Sequence, residues 1–169
     1  EKILLHNLIL AATHYYKNDL VSVQPGGPVY GPGMTYFQPE RAVWPIHFFL
    51  ESALKGKPIK MERGGDHTQE YTYVKDFAHG ICLVYEAKEL KHRFYNLSAG
   101  RRWSLFELAE IVRELIPTAQ ITLGPGFIEQ EDLFRPDPER GPLDYSRAKE
   151  ELGYEPEYDL KKGLKECLK

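Results

Sequence analysis

The stretch Val23-Gln24-Pro25-Gly26-Gly27-Pro28-Val29-Tyr30-Gly31-Pro32-Gly33 constrains this chain more than any other. It follows an alternating apolar run, Leu20-Val21-Ser22-Val23, which is the pattern of a strand with one buried face. Glycine lacks a Cβ and lets another group approach the main chain, whereas proline fixes φ and removes a donor. A segment rich in both is therefore a shaped, stiff loop. Two readings stay open here. The loop is the rim of a site, or it is a plain exit from a strand, since glycine and proline punctuate turns generally.

The elements around it alternate between helix and strand. Residues 2 to 17 carry Ile3, Leu4, Leu8, Ala11, Ala12 and Tyr15 at helical recurrence. A strand spans about 20 to 24, and "VWPIHFFLESALKG" reads as a helix that begins near Pro45 and is closed by Gly56. "KPIKMERG" and "QEYTYV" are short strands, with "GGDHT" as a looped turn between them. Asp76 is placed to cap the next helix, whose apolar face includes Phe77, Gly80, Ile81 and Val84. "RFYNLSAG" is a further strand. Ser104 and Glu107 fit a capping box that opens a helix to about Leu115. "QITLG" is a strand and "EQEDLFRPDPERGP" a polar loop; "SRAKEEL" is a helix stopped by Gly153, and Asp159 caps the last one. The order is α/β or α+β, with strands too short and scattered for a complete doubly wound sheet.

Composition excludes several functions. Of 169 residues, 42% are apolar and 28% charged, as in globular domains. The net charge of −3 comes from mixed signs without a block, which argues against nucleic acid and against an anionic membrane surface. No apolar run approaches the roughly 20 residues of a membrane span, and the N-terminal "EKILLHNLIL" lacks signal-peptide order, so a cytoplasmic location is expected. Cys82 and Cys167 stand apart and read as buried thiols. The histidines at 6, 14, 47, 67, 79 and 92 have no metal-ligand spacing, and no Gly-x-Ser-x-Gly occurs. Gly124 and Gly126 lack the third glycine of a phosphate cradle. Asp66 and His67 could form an acid/base pair, but in a glycine turn they read better as solvated polar filler.

Four pieces in order carry a resemblance: "VYGPG" at 29 to 33, "ALKGKPIKMERGGDHTQEYTYVKDFAHGI" at 53 to 81, "FYNLSAGRRWSLFELAEIV" at 94 to 112, and "LDYSRAKEELGYEPEYDLKKGLKECL" at 143 to 168. Together they resemble the C-terminal half of the extended short-chain dehydrogenase/reductases, the NAD(P)-dependent epimerase/dehydratase family acting on nucleotide sugars. The resemblance implies a division of the chain. Residues 1 to 33 would end a cofactor-binding Rossmann domain, and 34 to 169 would form a small α+β substrate-binding region with short segments returning to the Rossmann sheet. The family's glycine-rich dinucleotide turn and its acid/base tyrosine do not occur here, and the chain reads as if it starts just after that tyrosine. Lys2 then matches the lysine that holds the nicotinamide ribose and lowers the tyrosine pKa by its charge.

By the same resemblance, backbone groups of Pro25, Gly26 and Gly27 lie at the nicotinamide of NAD or NADP. Pro28, Gln69, Asn96 and Arg135 or Arg140 lie at the sugar or nucleotide-sugar substrate. The intact protein would be a homodimeric epimerase or dehydratase working by transient hydride transfer, and this chain alone would be inactive. The family's arginine is replaced by Gln24, its asparagine by Pro28, and the arginine of its "Arg-Asp-Phe-x-Tyr-Val-x-Asp" motif by Gln69. An amide cannot make the bidentate, charge-assisted phosphate contact of a guanidinium. Two alternatives accommodate these departures: a non-catalytic sugar-nucleotide binding module, and a reductase of a small non-nucleotide substrate.

Overall fold

The computed structural model describes residues 2–33, 45–127 and 141–169, with side chains from residue 4 onward. Helix α1 (Lys2–Tyr16) leads into β1 (Ser22–Pro25) and β2 (Val29–Tyr30). Then come α2 (Pro45–Leu54), β3 (Ile59–Met61), β4 (Thr68–Glu70), β5 (Thr72–Tyr73) and α3 (Val74–Glu86). The remainder is β6 (Phe94–Leu97), β7 (Arg102–Ser104), α4 (Leu105–Leu115), β8 (Ile121–Leu123), α5 (Ser146–Leu152) and α6 (Leu160–Cys167).

Four ladders organise the strands among the described residues. β1 pairs with β6, β2 with β5 and β3 with β8, all parallel, whereas β4 pairs antiparallel with β7. The looped turn expected between "KPIKMERG" and "QEYTYV" does not join a pair. Ile59 instead faces Ile121 across a parallel ladder, and both are buried. Three-residue strands carry little pairing information of their own, so burial of Ile59 in the core that α4 also lines decides the partner.

Local chemistry sets the helix ends. Ser104 Oγ accepts the Glu107 N–H at 3.1 Å and Glu107 Oε2 accepts the Ser104 N–H at 2.8 Å, completing the capping box. Behind it Leu105, Leu108, Ala109, Ile111 and Val112 turn one face inward. Asp159 accepts from the Lys162 N–H at 2.7 Å and starts α6, while Gly153 ends α5 at φ 68°. Asp76 is not a cap. It sits in the first turn of α3 and accepts the backbone N–H groups of Glu157 at 3.0 Å and Tyr158 at 3.1 Å, stapling that distant segment to the helix.

The main core joins α2, α4 and α6 to β2, β3, β5 and β8 through Ile46, Phe49, Tyr73, Leu108 and Leu164. A smaller one forms under β1 and β6 from Tyr95, Leu97, Ala148 and Tyr154. Cys82 is exposed, against the reading of a buried thiol. The inward face of α3 is set by Gly80, on which a Cβ would meet Leu97 at 2.6 Å, and Cys82 lies two residues, roughly 200°, further round. Ile81 is likewise largely exposed. Cys167 is half-buried, and burial pushes its thiol up to about 11. On α1, Leu4, Leu8 and Tyr15 stay exposed; His6 meets the rest of the fold, its ring edge-on to Phe94 at 4.4 Å.

Candidate functional site

The parallel register of β1 and β6 sets Ser22 beside Phe94, Gln24 beside Asn96 and Pro25 beside Leu97, so both strands end at one level. In an open parallel sheet, ligands collect at the carboxyl ends of the strands. Beyond that end the Gly26 N–H donates to the Leu97 carbonyl at 3.2 Å, and Pro28 accepts from the Thr72 N–H at 3.0 Å. The loop of Pro25, Gly26, Gly27 and Pro28 thus bridges the β1–β6 ladder to the β2–β5 ladder.

Glu70, the last residue of β4, fills the space beside this loop and is 3% exposed. The Ser98 hydroxyl donates to its Oε1, and the Leu143 N–H donates to its Oε2 at 2.9 Å. Ser98 Oγ in turn accepts the Gly100 N–H at 2.9 Å. Asn96 donates its side-chain amide to the Asp144 carbonyl at 2.7 Å. The nominated positions Pro25 to Pro28 therefore begin one residue past the Gln24–Asn96 pair, and the chain at 143 and 144 is hydrogen-bonded to Glu70 and Asn96.

Gln69 stands on the opposite face of β4 from Glu70, because successive side chains of a strand alternate. Its partner across the ladder is Trp103, and the Arg101 guanidinium covers the indole at 3.6 Å. Arg101 also pairs with Glu107 at 2.7 Å, and Arg102 donates to Thr68. His67, expected as solvated filler, is 2% exposed, whereas Asp66 accepts the Gly126 N–H at 2.6 Å. Arg135, Arg140 and the Lys2 side chain lie outside the described residues. A separate concavity of about 400 Å³ opens between Gly31–Gly33, α2 and the end of α6, lined by Leu50, Leu54 and Leu168; no nominated residue lines it.

Residues 1–98 match the model of the NAD-dependent epimerase/dehydratase family. The chain belongs to that family. Its relatives include UDP-glucuronic acid decarboxylase 3 of Arabidopsis thaliana, 32% identical over 117 residues, which are 69% of this chain and 32% of that one. Among solved structures, the Bordetella bronchiseptica enzyme WbmF in complex with NADH superposes at a TM-score of 0.78 with 22% identity, over 96% of this chain and 48% of that one. The UDP-glucose 4-epimerase of Thermotoga maritima, solved with UDP-glucose, gives 0.76 at 22% identity, over 96% and 49%. The fold is that of the Rossmann-type extended epimerases. The chain spans a quarter to a third of the decarboxylases it matches and about half of these solved chains.

A family of this kind uses a dinucleotide, and the residues present fit one end of it. The loop after β1 lies at the carboxyl ends of β1 and β6, where ligands of open parallel sheets collect, while the sequence holds no glycine-rich turn for a pyrophosphate. Two residues were not singled out by sequence, Glu70 and Ser98. Their signal was faint: an acidic residue within the strand "TQE", where a lone carboxylate is seldom buried without partners.

Proposed function

We propose that the chain is the substrate-binding part of an NAD-dependent enzyme that converts a uridine diphosphate sugar by removing and returning a hydride. The observation that carries the reading is the common end of β1 and β6, where the Pro25–Pro28 loop begins one residue past the Gln24–Asn96 pair, in a family with relatives named for UDP-sugars. NAD supplies the hydride acceptor and donor when bound. Pro25, Gly26 and Gly27 would lie against the nicotinamide and exclude water there. Pro28 and Asn96, with Arg135 and Arg140, would orient the nucleotide-sugar, and Lys2 would hold the ribose and keep the neighbouring acid/base group's pKa low. Epimerisation and decarboxylation both begin with such an oxidation, so either outcome fits this part of the chain.

Calorimetric titration of NAD and then UDP into the intact protein tests the reading. Saturable binding of both supports it. Binding of UDP without any dinucleotide would favour a binding module, and binding of NAD without UDP would favour a reductase of a small substrate.

A further inference from the structure

The glycines at 26 and 27 have a single neighbour in common. A Cβ on Gly26 would collide with Glu70 Oε1 and lie 2.9 Å from the Ser98 Cβ; a Cβ on Gly27 would collide with the Glu70 backbone carbonyl. The space over these two residues is therefore filled by the protein itself. Glu70 is buried, with a donor on each carboxylate oxygen. Releasing either donor would leave a buried polar group without compensation, which makes such a cluster stiff.

We propose that Glu70 is the positioning residue of the site. Its carboxylate ties two segments to the end of β4 by hydrogen bonds, Ser98–Gly100 after β6 and Leu143 in the chain that follows Arg140, and packs against a third, Gly26 after β1. Gly26 is glycine because Glu70 occupies its side-chain space, and Gly27 is glycine because the backbone of Glu70 does. The proposal rests on reading this region as the cofactor and substrate end of the site, and it adds what holds that end in shape. Loops that carry a flat ring on one side and a nucleotide on the other must keep a fixed separation, since small misplacements of bound reactants are costly to rate.

The test is a set of variants of the intact protein, read by melting temperature and by UDP affinity. Gly26→Ala lowers the melting temperature by roughly 5 °C through overpacking. Combined with Glu70→Ala, or with the shorter Glu70→Asp, the same change costs clearly less than it does in the wild type, the close approach to the Ser98 Cβ being what remains. Gly27→Ala, whose clash is with backbone, is not relieved by either and serves as the control. Glu70→Ala weakens UDP binding about tenfold, the loss expected when a charged hydrogen-bonding group is removed. Glu70→Gln recovers most of that, because its amide can donate to Ser98 Oγ while its oxygen accepts from Leu143. Equal destabilisation by Gly26→Ala whatever residue stands at 70 would overturn the proposal. So would a Glu70→Gln protein as weak for UDP as Glu70→Ala. If the wild-type protein binds no UDP, the functional reading fails, and the coupling of melting temperatures still decides the role of Glu70.

Discussion

Asn96 donates its side-chain amide to the backbone oxygen of Asp144 at 2.7 Å, and Asp144 accepts from the Ser146 N–H that opens α5. The hydrogen bonds from Ser146 hold the Asp144 carboxyl below the usual carboxylate range. This contact joins the end of β6 to the segment beyond Arg140.

Asn96→Ala is expected to cost about 1 kcal/mol, the net worth of one hydrogen bond. That corresponds to a melting temperature lower by roughly 2–4 °C for a domain of this size. UDP affinity falls only modestly in the same variant. An unchanged melting temperature with UDP binding abolished would instead make Asn96 a direct ligand contact.

The capping box gives a pH prediction. Burial raises the Glu107 pKa, but the Ser104 N–H and the Arg101 guanidinium outweigh it and hold the carboxyl below the ordinary glutamate range. A depressed folded-state value contributes stability above the unfolded pKa and loses it as pH falls through the folded one. Melting curves from about pH 7 down to about pH 3 should therefore fall less steeply on the acid side for Glu107→Gln than for wild type. Ser104→Ala costs about 1 kcal/mol at neutral pH. Identical acid limbs for Gln and Glu would remove Glu107 from the account.

Gln69 lies across the ladder from Trp103, whose ring Arg101 covers. Gln69→Arg places a second guanidinium on that face. That face is turned away from Glu70 and the Gly26–Gly27 loop, so UDP affinity is expected to stay unchanged at fixed salt. A gain of about tenfold in the variant would instead bring position 69 to the phosphates, since charge-assisted contacts of that kind are the strong ones.

What sequence made legible was local. The Ser104–Glu107 box, the Asp159 cap and the Gly153 stop are decided within a few residues, and each appears as read. Long-range partners were not legible. Asp76 looked like a cap because its use depends on backbone groups of Glu157 and Tyr158, and β3 looked like half of a turn because its partner lies beyond α4. The glycine loop was recognised as special, but its immediate cause, the carboxylate of Glu70, could not be read from the two letters preceding Tyr71. A glycine records that something comes close without recording what.

The proposed activity is NAD-dependent conversion of a nucleotide sugar. The direct measurement is proton NMR of UDP-glucuronic acid, UDP-glucose and a panel of other UDP- and dTDP-sugars incubated with the intact protein, with NAD and after its removal. At least one UDP-sugar is expected to be converted to an epimer or a decarboxylated product only while NAD is bound. No conversion of any sugar by a folded protein saturated with NAD would contradict it.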